Sequence, residues 1–409
     1  MAKVAIIGAG IIGVCVAHFL RKGNHEVIIF DHNDPGTQTS YGNAGIFANH
    51  DCVFANSPRI WKELPRMLFS KNSLLSADWY YVLTHLPWFL RFLGNCTKSK
   101  VEHIARSLSN FSFHAELAYE EIFNEVDVSD YVVKKDSLYL YATKDSFERA
   151  QFIFNLRKKN NIPFEFIDKD DIASMEPSLA PVYYRGVLFK EEGYTRSSIK
   201  ITQKIFDNFI NNGGQFIKKK VDSIDRSGKL LFLRSGESSF QVDKVVIACG
   251  AWSNELANKI GDNFPLDTER GYHVLFESDK ELISRSVGWA NAGFYMTPME
   301  DGIRAAGTVE IAGLKKPMNH QRLAMIEATA RKILPQLGKV KSQWMGFRPT
   351  LSDSLPVIGE SQKCKNVFYA FGHQHLGLSL GAVTGKSIAS LIDNKPSNIN
   401  IKPLSPLRF

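Results

Sequence analysis

The stretch Lys3–His32, KVAIIGAGIIGVCVAHFLRKGNHEVIIFDH, decides the fold. Lys3–Ile7 has the length and apolar content of a strand buried on both faces. Gly8, Gly10 and Gly13 follow at G-x-G-x-x-G spacing, Val14–Leu20 continue as a helix that Gly23 closes, and Glu26–Phe30 form a second strand. Asp31 stands at the end of that strand, about 20 residues beyond the third glycine, as a dinucleotide-binding unit requires. Gly8 permits the tight turn, Gly10 lets a pyrophosphate approach the backbone, and Gly13 lets helix and strand pack closely. The helix N-terminus, entered through Ile11 and Ile12, faces the phosphates. The Asp31 carboxylate can accept both ribose hydroxyls of an adenosine and would repel a 2′-phosphate, which argues against NADP. FAD and NAD share the ADP half, so both stay open at this point.

Three later segments bear on that choice. GTQTSYGNAGIF (36–47) follows the second strand directly, and its small and hydroxyl residues suit a chain that closes over a pyrophosphate. An NAD domain would proceed through another helix to a third strand instead. KVVIACGAWSNEL (244–256) is a buried strand ending in a glycine turn, and NVFYAFGHQHLGLSLGAVTGKSIASLI (366–392) is strand, glycine turn and helix again. One cofactor that reaches all of these must be long, as FAD is. The candidate cofactor-binding residues are therefore Gly8, Gly10, Ile11, Ile12, Gly13 and Asp31, then Ser40, Asn43, Ala44 and Gly45, then Gly250 and Trp252, and finally Gly372, His373 and Gly377.

The chain has 409 residues, long for one core, so two domains are expected. A formal charge of +8 suits an anionic substrate or an acidic membrane surface. Basic runs such as Lys218–Lys220 are short, too little for a nucleic-acid footprint, so no nucleic-acid partner is expected. Five scattered cysteines without a C-x-x-C pair point to a reducing compartment. No signal peptide fits ahead of Lys3, and no stretch offers the ~20 apolar residues of a membrane span. The expectation is a cytoplasmic protein. The aromatic run WYYVLTHLPWFLRFLG (79–94) leaves two readings open: a core helix broken near Pro87, or a peripheral contact with the inner face of the plasma membrane.

Seven motifs in order, GAGIIG (8–13), TSYGNAG (39–45), VVIACGAWS (245–253), ERGYHVLF (269–276), TPMEDGIRAAGTVEIAG (297–313), GFRPTLSDSLPVIG (346–359) and FGHQHLGLSLGAVTG (371–385), span nearly the whole chain. Through them the sequence resembles the D-amino-acid oxidase superfamily of FAD-dependent amine oxidoreductases, and within it the bacterial D-amino acid dehydrogenase branch. The resemblance implies an α/β fold: a Rossmann-like FAD-binding domain of the two-dinucleotide type, with a second α+β substrate domain built on an antiparallel sheet. The FAD-binding domain is expected to gather 1–55, 170–262 and 340–409, and the substrate domain 56–169 and 263–339. Helices are expected at Asp145–Asn160, Ser198–Asn211 and Gln321–Leu334, and substrate-domain strands at Ser137–Ala142 and Arg270–Phe276.

The resemblance further implies oxidation of the Cα–N bond of a small D-amino acid, with the hydride accepted by the flavin and the electrons passed to an acceptor such as a quinone or the respiratory chain. It assigns Arg348 to the substrate carboxylate, a task that suits a guanidinium fork. The alternative is a structural arginine paired with an acid such as Asp353. Tyr272 and His273 are candidate active-site wall residues; they alternate along a strand, so only one can face the flavin. A metal site at His373 and His375 would need further ligands that the sequence does not supply, so no metal is expected. His373 and the turn around it are cofactor-binding candidates, and His375 is a candidate for facing the substrate.

Some members of the superfamily attach FAD through a cysteine just before the R-P pair. Here Trp344–Phe347 contain none, so FAD is expected to be non-covalent. Gln374 and His375 depart from the D-amino acid dehydrogenase pattern, and no second arginine of the glycine-oxidase kind stands in that turn. A hydroxy-D-proline-like substrate therefore fits as well as a D-alanine-like one. A sarcosine- or glycine-oxidase-like amine oxidase, or a non-autonomous FAD-binding subunit of a larger complex, are the competing readings.

Overall fold

In a computed structural model, residues 1–48, 52, 56–61, 75–278 and 280–409 are described, with the backbone alone for Leu75–Ala77. The first sheet has six strands in the order Gln215–Ile217, Glu26–Phe30, Lys3–Ile7, Lys244–Ile247, Val367–Phe371 and Val357–Glu360. The first five are parallel, and the last returns antiparallel. Side chains alternate between its two faces. Val4, Ile6, Val27, Ile29 and Val246 pack under the helices Ile11–Lys22, Ser198–Asn211 and Gly377–Ile392. Ala5, Ile7, Ile28, Phe30, Val245 and Ile247 face a three-stranded antiparallel sheet built from Ser223–Ser227, Leu230–Ser235 and Ser238–Val242. A sheet buried on both faces needs near-continuous apolar strands, and these are the runs that stand out in the sequence.

The second sheet is mostly antiparallel and has nine strands among the described residues. Its order begins Val340–Leu351, Leu266–Phe276, Gly302–Ile311, Phe294–Met299, Val287–Trp289 and ends Ser137–Tyr141, Arg185–Phe189, Phe164–Ile167; Leu75–Ala77 pairs alongside Gly302–Ile311. Helix His320–Ile333 covers one face through Leu323, Ile326, Ala330 and Ile333, against Tyr272, Val274 and Phe276.

Ser198–Asn211 is helical as expected, and helix His320–Ile333 is displaced by one residue from its expected bounds. The helix expected over Asp145–Asn160 is two, Lys144–Arg149 and Gln151–Lys159, broken at Ala150 so that Phe147 and Phe154 enter one aromatic cluster. The expected domain bounds are crossed by two strands. Arg185–Phe189 pairs with Ser137–Tyr141 in the second sheet, and Val340–Leu351 pairs along its whole length with Leu266–Phe276. Arg185–Phe189 and Val340–Leu351 fall in 170–262 and 340–409, the stretches expected in the FAD-binding domain. Residues 49–51 and 53–55, at one expected boundary, lie outside the described residues.

The aromatic run forms two short helices, Trp79–Thr84 and Leu86–Gly94, with Pro87 in the first turn of the second. Trp88 and Phe92 are buried, and the Trp88 indole N–H donates to Pro265 O at 2.9 Å. Trp79, Tyr80, Leu83, Leu86 and Leu90 lie exposed on the outside. The break near Pro87 is as expected, but only one side of the segment is core.

Candidate active site

The N-terminal turn closes as its glycines dictate. Gly8 sits at φ +113°, where only glycine is unstrained, and a Cβ on Gly13 would overlap the Gly8 carbonyl. Gly10 is different. Its φ of −75° suits any residue, and a Cβ there would meet, among the described residues, only Ser40 Oγ at 3.2 Å. The space beside Gly10 is part of a cavity of about 440 Å³ that runs between the two sheets.

Gly8, Gly10, Ile11, Ile12, Asp31, Ser40, Asn43, Ala44, Gly250, Trp252, His373 and Gly377 all line this cavity, as do Arg348 and His375. Asp31 accepts the Ala9 N–H at 2.8 Å and the Asn33 N–H at 2.9 Å, so the same carboxylate that stands in the wall also fixes the glycine turn. Ser40 Oγ accepts the Ile11 N–H at 3.0 Å, at the open end of the first helix. Gly13, Gly45 and Gly372 stand behind the wall. Gly45 and Gly372 have φ of +75° and +88° and supply turns.

Four of the candidate residues bear on the substrate side, and they do not act alike. Arg348 is in the wall. Its Nη1 donates to Thr308 O at 2.8 Å, and a Cβ on Gly271 would come within 2.6 Å of its guanidinium carbon. Burial works against its charge, and Glu269 supports it. Asp353, the alternative partner, is taken by Arg408 at 2.7 Å. Tyr272 requires a correction. It lies on the far face of its strand, its hydroxyl donating to Glu310 inside the core of the second sheet. Burial and the Glu310 carboxylate push its pKa up to about 12. Alternation along the strand puts His273 on the cavity side, but behind Trp344, which stacks on it at 5.2 Å. Its Nδ1 faces Gly42 O at 3.1 Å, and burial with Arg304 nearby brings its pKa down to about 3. It is a neutral wall behind the wall.

His373 is buried, pairs through Nε2 with Thr384 Oγ1 at 2.9 Å, and is brought down to about 3 by burial. His375 is exposed on the cavity wall. The two rings thus have different surroundings, because 372–376 is a turn and not the strand that would align them. The turn leads into helix Gly377–Ile392, as expected from its glycines.

Sequence reasoning missed Trp344, Gly271, Gly346, Glu269 and Lys219–Lys220. Trp344, Gly346 and Arg348 alternate on one face of their strand, so a period of two counted back from Arg348 would have found the first two. A Cβ on Gly42 or Gly346 would overlap the Trp344 indole, which explains why glycines flank it. Gly271, Gly346 and Trp344 line the cavity beside Arg348, and Lys219 and Lys220 line it with Asp31.

A family model described as FAD dependent oxidoreductase matches residues 3–391. The chain belongs to this family. It is 32% identical to a D-amino-acid oxidase of Bradyrhizobium diazoefficiens, over 99% of this chain and 98% of that one. It is 25% identical to D-amino acid dehydrogenase 2 of Mesorhizobium japonicum, over 97% and 98% of the two chains. Its fold is similar to that of glycine oxidase from Geobacillus kaustophilus, with a TM-score of 0.77 and 21% identity over 100% of both chains.

FAD is accordingly the cofactor of this FAD-dependent oxidoreductase, and the cavity fits it. The space beside Gly10 is one that a Cβ would fill, and the first helix opens there. Two buried polar atoms in the wall, His373 Nδ1 and Gln374 Oε1, have no hydrogen-bond partner among the described residues. Buried polar groups are rarely left so unless a ligand or water completes them.

Proposed function

We propose that this chain oxidises the Cα–N bond of a small D-amino acid to the imine, and thence the 2-oxo acid, with a D-alanine-like or hydroxy-D-proline-like substrate. The observation that carries the reading is Arg348: a buried guanidinium in the cavity wall, cleared by Gly271 and anchored by a single hydrogen bond to Thr308 O among the described residues. Its remaining N–H donors can take a carboxylate in the parallel, two-point manner. FAD, when bound, supplies the hydride acceptor. The protein's own part is orientation: Arg348 fixes the carboxylate end, and Trp344 closes one side. Gly271, Ala306, Gly346 and Pro349 line the wall around Arg348 and leave room for a small side chain. The test is turnover by the isolated chain with an artificial electron acceptor, across D- and L-amino acids, glycine and sarcosine. Turnover limited to D-amino acids supports the reading. Preference for glycine or sarcosine replaces it with the amine-oxidase reading, and no turnover at all favours a subunit that needs a partner.

FAD is held non-covalently in this reading. The one cysteine among the described wall residues, Cys249, donates to Ile7 O at 3.2 Å, and burial pushes its thiol pKa up, away from the reactive thiolate. Acid precipitation should release the yellow chromophore into the supernatant; flavin retained in the pellet would contradict this.

The electron acceptor is, in the same reading, a quinone or another respiratory component, and the chain works at the inner face of the plasma membrane. No helix among the described residues is long and apolar enough to cross a membrane. The support for surface contact is the exposed set Trp79, Tyr80, Leu83, Leu86 and Leu90, followed along the chain by exposed Arg91, Lys98 and Lys100. Aromatic and leucine side chains beside cations suit an anionic lipid surface. The protein should co-sediment with vesicles containing phosphatidylglycerol, and Trp79→Ser with Leu83→Ser and Leu90→Ser should remain in solution. Equal sedimentation of the two would remove this patch from the account.

A further inference from the structure

The strand pair that carries Arg348 also sets Glu269 directly across from it. Directly opposed residues of an antiparallel pair project from the same face, and this is the face that Gly271, Gly346 and Arg348 turn to the cavity. Glu269 is 3% exposed. A carboxylate so buried keeps its charge only beside a cation, and Arg348 is the cation that supports it.

The other groups around Glu269 are few. Thr350, across the strand pair, favours its charged form, and Asp267, two residues back on the same strand, disfavours it. Behind Asp267 lie Tyr81, whose hydroxyl donates to it at 2.8 Å, and His85. From the strand Gly302–Ile311, the Thr308 carbonyl occupies one N–H of Arg348. His373, bridged through its backbone to Thr350, is neutral. Burial is the largest influence on Glu269, and its pKa lies above the ordinary glutamate value.

The geometry points to Glu269 as the resident counter-ion of Arg348, which takes up a proton when an incoming carboxylate takes over the arginine. The inference rests on the reading of Arg348 as the substrate-carboxylate anchor. Before binding, at a pH above its own raised pKa, Glu269 is an anion set across the strand pair from Arg348, near enough to feel its charge but not hydrogen-bonded to it. After binding, two carboxylates would share one guanidinium, and like charges so placed drive one of the pair to its neutral form. A proton from solvent adds to a Glu269 oxygen, no other bond forms or breaks, and the net charge around the arginine is restored. Glu269 is thus a positioning residue: once neutral, it no longer competes with the substrate for the charge of the arginine.

The sign follows from linkage. The pKa of Glu269 is higher with a carboxylate bound than without. Affinity is therefore greatest below the free-state pKa, falls about tenfold per pH unit between the two values, and levels off above the bound-state one. Because the free-state value is already raised, this window opens above the usual glutamate range.

Propionate, a carboxylate with no oxidisable amine, is the probe. The FAD-loaded wild type is titrated with it calorimetrically from weakly acidic to weakly alkaline pH, in buffers of differing ionisation heat. The expected result is uptake approaching one proton per propionate within the window. Glu269→Gln should abolish the uptake, remove the pH dependence, and bind propionate about tenfold or more tightly than wild type above the window. Propionate bound by wild type without proton uptake at any pH overturns the inference, and this measurement needs no variant. Uptake that persists undiminished in Glu269→Gln overturns it too, by moving the proton to another group. If propionate fails to bind wild type, or binds Arg348→Ala as well as wild type, the anchor reading itself fails. If Arg348→Ala loses propionate but wild type takes up no proton, only the present inference does.

Discussion

Arg348→Ala should lower kcat/KM for amino acids by roughly 30- to 5,000-fold, equivalent to about 2–5 kcal/mol of transition-state binding. Removing one partner of a desolvated, hydrogen-bonded charge pair has costs of this size. Here the loss falls on the substrate, because the guanidinium makes only one hydrogen bond to the described protein, at Thr308 O. Flavin content should stay close to wild type, since the glycine turn, Asp31 and Ser40 are untouched. Arg348→Lys is the sharper companion. It keeps a cation opposite Glu269, so the strand pair is not left with an uncompensated buried acid, yet it loses the planar fork. Its kcat/KM should also fall. Amines without a carboxylate should be poor substrates for wild type and should lose little more in either variant. Normal turnover of amino acids by Arg348→Ala, or failure only through loss of FAD, would show the arginine to be structural.

Gly10→Ala should weaken FAD binding by about 5- to 150-fold, the cost of forcing one extra methyl into a filled site being about 1–3 kcal/mol. This position separates the ligand from the fold. Gly13 faces the Gly8 carbonyl, so any side chain there disturbs the protein itself. At Gly10 the backbone conformation is ordinary, and among the described residues Ser40 Oγ at 3.2 Å is the single atom within reach of a Cβ. The thermal stability of the FAD-free protein should therefore be unchanged by Gly10→Ala, while the FAD dissociation constant rises. Equal FAD affinity in the two proteins would mean that the pyrophosphate does not pass beside Gly10.

The first sheet was legible because its strands are buried on both faces and its turn depends on backbone conformations that glycine alone adopts freely. Lys3–Ile7, Glu26–Phe30 and Lys244–Ile247 announce themselves as apolar runs, and Gly8 and Gly13 by spacing. The cofactor wall was legible for the same reason. The substrate side was not. Tyr272 and His273 alternate, and the sequence carries no sign of which faces the cavity; the answer depends on helix His320–Ile333 claiming the Tyr272 face. Glu269 is unremarkable by composition and gains its meaning only from a register that pairs residues far apart in the chain. The strand Arg185–Phe189 is hard to read for a similar reason: its partners, Ser137–Tyr141 and Phe164–Ile167, are chosen by tertiary packing. The aromatic run at 79–94 leaves core and surface contact both open by composition, and it divides into a buried side, Trp88 and Phe92, and an exposed one.

The most direct test of the account is anaerobic mixing of the FAD-loaded protein with single enantiomers, following the flavin absorbance. D-Alanine or a hydroxy-D-proline should bleach the flavin band completely and in one turnover, the L-enantiomers should not, and Arg348→Ala should slow the bleaching by roughly 30- to 5,000-fold. Bleaching by the L-enantiomers in preference to the D-enantiomers, or an equal rate in Arg348→Ala, would contradict the account.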